Sequence, residues 1–263
     1  MFSRTFLNIT RAASRLPQLP TSHLYSTMAS DITLYTWATP NGIKASITLE
    51  ELGLPYKTEA IDISTNEQKK EWFLKVNPNG RIPALLDGSQ RVFESGAIML
   101  YLADKYDTNR RISYVPGSPE YVEQLSWLMF QMGGLGPMQG QANHFRLFAG
   151  ARSDYGITRY LDETKRLYSV LDSRLQESPY LAGPKYTIAD IANFSWVRGG
   201  PPALEIDLAQ WPALKKWVDG IEMRAAVQKG VDVPQTGRTP EQLAEFFRSC
   251  RERIDGLANS DKQ

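Results

Sequence analysis

The chain has 263 residues, and its 30 Lys and Arg against 29 Asp and Glu give a formal net charge of +1. That balance supplies no basic face for a nucleic-acid partner, and no apolar run approaches the ~18 residues of a membrane span. Cys250 is the single cysteine, and His23 and His144 are the only histidines. An intramolecular disulfide is therefore excluded, a Cys/His metal site is not expected, and thiol chemistry would have to use the sulfur of a ligand.

The first 30 residues differ from the rest of the chain. They carry three arginines and many Ser and Thr, with no acidic residue before Asp31. Apolar residues recur at roughly helical spacing up to Pro17, and the long apolar core of a secretory signal is missing. Such a leader is typical of a mitochondrial transit peptide, so we expect a mitochondrial protein. The alternatives are a disordered leader and a second start at Met28, which would give a cytoplasmic product.

Residues 31–107 predict an α/β domain. The first strand is rich in residues that suit a half-buried sheet, and the helix after it begins with Thr39 as N-cap, Pro40 at the first helical position and Gly53 past its end. An Asp-Gly pair at 87–88 predicts a hairpin. The predicted order is strand 32–37, helix 40–52, strand 56–63, short helix 67–76, hairpin strands 82–86 and 91–93, and helix 94–106.

After a polar linker at residues 108–118, the pattern becomes helical throughout. Apolar residues recur at three- and four-residue steps between 119 and 234, which predicts an all-helical domain. Thr187 and Asp190 predict a variant capping box with a structural role. Residues 235–263 are polar and carry many charges, and we expect a partly ordered C-terminal tail.

Three segments with turn chemistry suggest a binding site for a small peptide. Residues 39–42 enter a helix and offer backbone N–H groups and an amide side chain. The Ile82-Pro83 step presents free main-chain groups, and Glu94-Ser95 opens another helix, whose N-terminus favours a carboxylate. The expected ligand carries carboxylates, an amine and a peptide bond.

These segments, in this order, resemble the glutathione-binding half of a glutathione transferase. The resemblance runs from about residue 32 to about residue 227, and it is greatest to the bacterial nu-class disulfide-bond reductases and the fungal regulator of nitrogen catabolite repression. It implies a thioredoxin-like α/β domain followed by an all-α domain, glutathione as co-substrate, no metal, and a homodimer. The motifs that carry it lie at residues 32–35, 39–42, 50–53, 76–83, 94–98, 133–141 and 188–191.

The resemblance also implies roles for individual residues. Asn41 would be the main donor to the glutathione sulfur, with Thr39 as its helper, because both begin a helix whose N-terminus lowers a thiol pKa from ~8.5. Thr39 has an alternative role as a simple N-cap. Lys44, one turn further along, could stabilise a thiolate, but we expect it to be a solvated lysine on an exposed helix face.

The remaining glutathione contacts follow from the same comparison. The main chain of Ile82, before a cis Pro83, would pair with the cysteinyl part of glutathione. Glu94 and Ser95 would take the amine and carboxylate of the γ-glutamyl end, although helix capping alone also explains this pair. Further contacts are expected from Gln68, from Arg81, and from Arg159 across the subunit interface.

Two chemistries are compatible with this reading. The Thr-Pro-Asn-Gly motif at 39–42 favours reduction of disulfides by bound glutathione, as in the similar bacterial branch. The alternative is conjugation of glutathione to an electrophilic xenobiotic or metabolite, in detoxification. A third hypothesis is a regulatory glutathione-binding protein that acts through a partner, and the lack of a Gln/Asn-rich segment argues against it.

Overall fold

The computed structural model describes residues 31–237 and 239–258. The leader at 1–30 lies outside these residues, so mitochondrial import stays a prediction. Within the described residues, no helix is both long and apolar enough to cross a membrane. The same part of the chain contains no group of three His, Cys, Asp or Glu side chains placed to hold a metal ion.

The N-terminal part forms one four-stranded mixed sheet. Its order is β2-β1-β3-β4, with β1 and β2 parallel and the other two pairs antiparallel. The sheet and its helices confirm the predicted α/β class. The strands are β1 (Ile32–Thr36), β2 (Lys57–Ala60), β3 (Ala84–Asp87) and β4 (Gln90–Phe93).

Everything described after the sheet is helical or loop, which confirms the predicted all-α second part. The helices of the first part are α1 (Pro40–Leu52), α2 (Glu71–Leu74) and α3 (Ser95–Tyr106), and 3₁₀ turns occur at Ile63–Thr65 and Glu67–Lys69. Those of the second part are α4 (Pro119–Phe130), α5 (Gly136–Asn143), α6 (Asp154–Glu177), α7 (Ile188–Val197), α8 (Gly200–Leu204), α9 (Pro212–Glu222), α10 (Ala225–Val231) and α11 (Pro240–Asp255), with a 3₁₀ turn at Leu208–Gln210.

Helix α1 is buried on nearly every side. It packs against the sheet and α3 of its own domain and against α7 and α10 of the helical domain. Its Ile43 and Ile47 belong to the same apolar cluster as the helical-domain core, whereas Ala45 and Leu49 belong to the cluster under the sheet. The first turn of α1 is therefore held by both domains.

After α4 the chain stays helical as far as Phe148, through two π turns at Gln131–Leu135 and His144–Phe148, and a short non-helical segment at 149–153 leads into α6. The first contains the glycines at 133 and 134. A π turn inserts an extra residue into the helical repeat and changes the direction in which the following side chains point. It lies against α7, which brings Gln131 and Met132 to the boundary between the domains.

The C-terminal segment contains a helix that the expected partly ordered tail did not include. Helix α11 begins with a capping box of Thr239 and Gln242. The Arg253 guanidinium donates to the carbonyl oxygens of Leu147 and Ala149, at 2.8 and 3.1 Å. The sequence analysis missed this helix because it interpreted the many charged residues of the segment as a polar tail. The Arg253 hydrogen bonds, which reach the π turn at His144–Phe148 and the residue after it, hold the helix on the domain.

Candidate functional site

The sheet register brings the three predicted segments to one end of the sheet. Tyr35 in β1 lies opposite Ala84 in β3, and Ala84 lies opposite Phe93 in β4. The end of β1, the start of β3 and the end of β4 are therefore side by side. The segments that adjoin these three positions are 39–41, 81–83 and 94–95.

Thr39 caps the first turn of α1. Its Oγ1 accepts a hydrogen bond from the Gly42 N–H at 3.1 Å. A Cβ on Gly42 would lie 2.1 Å from the Trp37 carbonyl oxygen, so only glycine allows this tight entry into the helix. The Thr39 hydroxyl accepts in this cap and keeps its proton available for donation.

The Asn41 side chain is fixed from the other domain. Its Oδ1 accepts a hydrogen bond from Trp196 Nε1 at 3.0 Å, between residues 155 positions apart. An indole nitrogen only donates, so the carbonyl end of the amide must face it. The Nδ2 group makes no hydrogen bond within the described residues and remains a donor for a ligand.

The loop before β3 exposes main-chain groups. The Ile82–Pro83 peptide is cis, as the resemblance implied. Asn77, itself buried, donates from Nδ2 to the Arg81 carbonyl at 2.7 Å and holds the loop open. The N–H and C=O of Ile82 have no hydrogen-bond partner in the part of the chain that the structure describes, so both can pair with an extended peptide.

Glu94 holds an unusual backbone conformation. Its φ of 71° and ψ of 120° lie where a residue with a side chain is strained. The side chain is exposed, does not cap α3, and accepts a weak hydrogen bond from Asn79 Nδ2 at 3.4 Å. Ser95, the first residue of α3, is buried at 3% exposure. Helix capping does not account for the strained backbone of Glu94, because its side chain makes no capping hydrogen bond. The strained residue places a carboxylate beside a buried hydroxyl at the N-terminus of α3.

Lys44 is buried, and the expectation of a solvated lysine is wrong. Its side chain is fully buried between the domains, where Nζ donates to Ser95 Oγ at 3.2 Å and to Gln131 Oε1, and contacts Met132 Sδ at 3.6 Å. Burial lowers its pKa from 10.5 to about 7, and the charge of Glu94 partly opposes the shift. The mistake came from treating α1 as a helix with one exposed face.

Gln68 lies beside the same loop. It is 9% exposed, and its Oε1 is buried with no partner among the described residues. A Cβ on Gly80 would be 2.9 Å from the Gln68 carbonyl oxygen, so the 3₁₀ turn that carries Gln68 packs directly on the loop before β3. Arg81 in that loop is exposed. An unpaired buried acceptor needs an explanation, and a ligand donor would supply one.

Arg159 is not brought together with the other candidates. It lies exposed on α6, with its guanidinium carbon 5.9 Å from the centre of the Tyr160 ring. It lines a separate open cavity of about 700 Å³ together with Tyr155, Glu163 and Arg166. A role across a subunit interface requires a second chain and stays a prediction.

The sequence analysis missed one residue of the site, Trp196, and misjudged another, Lys44. Trp196 follows the predicted capping box of α7, but nothing in the sequence pairs it with Asn41. The burial of Lys44 could not be predicted because it depends on α3 and on the π turn of the other domain. The spacing of Lys44 one helical turn after Asn41 was the only available signal.

Comparisons with known proteins point to a single family. The model described as the glutathione S-transferase N-terminal domain matches residues 30–104, and that of the C-terminal domain matches residues 157–225. Disulfide-bond oxidoreductase YfcG of Escherichia coli is 43% identical over 213 residues, which are 78% of this chain and 97% of that protein. Glutathione S-transferase 1 of Schizosaccharomyces pombe is 42% identical over 160 residues, 60% of this chain and 70% of that protein.

A solved structure shows the same fold. The glutathione transferase homolog of Lodderomyces elongisporus, crystallised with two glutathione molecules per subunit, is 46% identical with a TM-score of 0.74. The match covers 77% of this chain and 98% of that one.

Proposed function

The chain belongs to the glutathione S-transferase family, and from that premise we propose that it reduces small disulfides or glutathione mixed disulfides with bound glutathione as the reactive thiol. The observation that carries the proposal is the first turn of α1, which has no cysteine but presents the Asn41 amide with its donor end free. A thiol at that position gains hydrogen bonds that favour its thiolate. The similar E. coli protein is named a disulfide-bond oxidoreductase, which supports the same function.

The reaction needs no redox group of the protein. The thiolate of bound glutathione attacks one sulfur of the substrate disulfide, a new S–S bond forms, and the departing thiolate takes a proton from solvent. A second glutathione thiolate then attacks the glutathione sulfur of the mixed disulfide, which forms glutathione disulfide and releases the other half of the substrate as a thiolate that is protonated by solvent. The protein contributes the binding and the lowered thiol pKa.

The γ-glutamyl end of glutathione fits the start of α3. Ser95 and the helix N-terminus would take the carboxylate, with the buried Lys44 donating to the same hydroxyl from behind. The Glu94 carboxylate would accept from the amine, and its strained backbone is the kind of feature that functional sites retain.

The rest of the peptide follows the edge of the sheet. The unpaired main chain of Ile82 would take the cysteinyl part. The Oε1 of Gln68 would accept from a ligand N–H, and the exposed Arg81 would pair with the second carboxylate.

The proposal includes a homodimer in which Arg159 reaches the site of the partner subunit. The exposed position of Arg159 beside an open cavity on α6 is compatible with such a contact. Light scattering measures the mass of the particle, and a monomer with full activity would remove this role of Arg159.

The test compares two reactions in two variants. We expect wild-type protein to reduce 2-hydroxyethyl disulfide with glutathione, and Asn41→Ala to lose roughly 10²-fold in kcat/KM, the usual effect of removing one anion-stabilising donor. Asn109→Ala, an exposed asparagine in a turn, is the control and should match wild type.

Conjugation is the competing outcome. The similar S. pombe protein is named a glutathione S-transferase, which makes chlorodinitrobenzene the second substrate to assay. Strong conjugation that is indifferent to Asn41→Ala, with little disulfide reduction, would contradict the proposal and make this chain a conjugating transferase.

A further inference from the structure

The Trp196 indole connects the helical domain to the first turn of α1. Trp196 is 8% exposed and lies in the last turn of α7, with its Nε1 3.0 Å from Asn41 Oδ1. This hydrogen bond joins the two domains. Its acceptor is Asn41, the side chain beside which the proposed function places the glutathione thiol.

Several contacts hold the main chain and the ring of Trp196 in place. Gln139 Nε2 donates to the Trp196 carbonyl at 2.8 Å, and the Tyr168 hydroxyl donates to Gln139 Oε1 at 3.0 Å. A Cβ on Gly140 would lie 3.4 Å from Cη2 of the indole, so the ring lies close against the backbone of α5. Trp196 is therefore a fixed donor on α7, held directly by α5 and, through Gln139, by α6.

The direction of this hydrogen bond decides which end of the amide faces outward. An amide can rotate by half a turn and exchange its oxygen and nitrogen at almost no change in shape. Rotation of Asn41 would set its NH₂ against the indole N–H and leave a nearly buried donor without an acceptor. It would also turn Oδ1, which repels a thiolate, toward the ligand.

We propose that Trp196 is a positioning residue that holds the Asn41 amide with Nδ2 toward the sulfur of bound glutathione, and so keeps that thiol ionised. The inference rests on the proposed function, since it needs a glutathione thiol beside Asn41. It adds that the thiol pKa is set jointly by the two domains.

The experiment titrates the thiol of bound glutathione through its thiolate absorbance in wild type, Trp196→Phe, Asn41→Ala and the double variant. Phenylalanine keeps an aromatic ring and removes the N–H. We expect Trp196→Phe to raise the thiol pKa and to lower the thiolate fraction at neutral pH by roughly three- to tenfold, the usual worth of one hydrogen bond. The double variant should match Asn41→Ala, because without the amide the indole has nothing to orient.

Trp211→Phe is the matched control. Trp211 is also 8% exposed, and its Nε1 donates to Ser169 Oγ at 2.9 Å, away from α1. The control loses an equivalent hydrogen bond and an equivalent volume, and we expect it to leave the thiol pKa unchanged. A shift of equal size in both variants would assign the effect to general loosening of the helical domain and overturn the proposal.

The outcomes separate this inference from the proposed function. No shift in Asn41→Ala would remove Asn41 from the thiol site and contradict the function itself. A shift in Asn41→Ala with none in Trp196→Phe would leave the function standing and overturn the role of Trp196.

If Trp196→Phe does not fold, Asn41→Asp examines the same geometry. Aspartate keeps an oxygen for the indole and loses the NH₂, so we expect a folded protein with a thiol pKa raised at least as far as in Asn41→Ala. An unchanged thiol pKa in Asn41→Asp would remove Asn41 from the thiol site and overturn both the proposal and the function.

Discussion

The first turns of α1 and α7 are built from the same parts and used differently. Each helix has a threonine N-cap, Thr39 or Thr187, whose Oγ1 accepts from the backbone two or three residues on. Each has an Asn or Asp side chain in its first turn that accepts a tryptophan indole N–H at 3.0 or 3.1 Å.

The two turns differ in what remains unpaired. Asp190 is completely buried, and its two oxygens accept from the N–H groups of Leu181 and Thr187 and from the Trp217 indole. Burial raises the pKa of Asp190 to about 6, although the hydrogen bonds by themselves would lower it. Asn41 is half-buried, and its NH₂ has no partner in the described chain. A saturated network stabilises the fold, whereas a network with one spare donor can bind a ligand.

The largest expected effect is on the saturated turn. Asp190→Ala removes the acceptor for four donors in the helical core, the three N–H groups and the Thr187 hydroxyl, so we expect the free energy of unfolding to fall by about 3–5 kcal/mol. Urea unfolding measures it. Asn41→Ala, its counterpart, should cost only about 1 kcal/mol because it leaves a single indole N–H unpaired. Equal losses in the two variants would contradict the distinction between a structural and a ligand-facing turn.

A second, smaller effect concerns pH and Lys44. The folded-state pKa is lowered to about 7, so above that pH the unfolded chain binds more protons than the folded one at this group. Above the unfolded-state pKa of 10.5, Lys44 is neutral in both states and its burial costs no ionisation energy. That stability decreases as the pH falls and is lost once the pH passes below the folded-state pKa of about 7, where the buried lysine is charged.

The matched variant for Lys44 is Lys44→Met, which keeps the length of the side chain. Urea unfolding should show wild type gaining roughly 2 kcal/mol relative to Lys44→Met between about pH 7 and about pH 9. A difference that stays constant over this range would mean that Lys44 is not held in the buried position described.

The smallest effect separates the two threonines. Thr39→Ala and Thr187→Ala each remove an N-cap, at a cost of about 1 kcal/mol for the half-buried Thr39 and about 2 kcal/mol for the buried Thr187. Only Thr39→Ala should also raise the pKa of a bound glutathione thiol. A shift in Thr187→Ala of the same size would show that the thiol senses the general stability of the protein.

The sequence predicted the parts of the site that depend on local chemistry. Turn residues and β-forming runs gave the strands and the hairpin, and the Thr187–Asp190 box is present as predicted. The candidates at 39–41, 81–83 and 94–95 meet because strand pairing places the end of β1, the start of β3 and the end of β4 side by side. Their roles in binding stay predictions.

The remaining features depend on packing between distant segments. The amphipathic pattern of α1 indicates one buried face, but its position between two domains buries the opposite face as well and takes Lys44 out of solvent. Helix α11 is fixed by Arg253 to carbonyl groups a hundred residues earlier.

The sequence by itself therefore determined the family, the order of strands and helices, and the residue types at the start of α1. The tertiary structure decided the direction of the Asn41 amide and the burial of Lys44. The physical reason is that local hydrogen bonds are specified by neighbours in the chain, whereas the orientation of an amide and the pKa of a lysine depend on whichever groups packing brings against them.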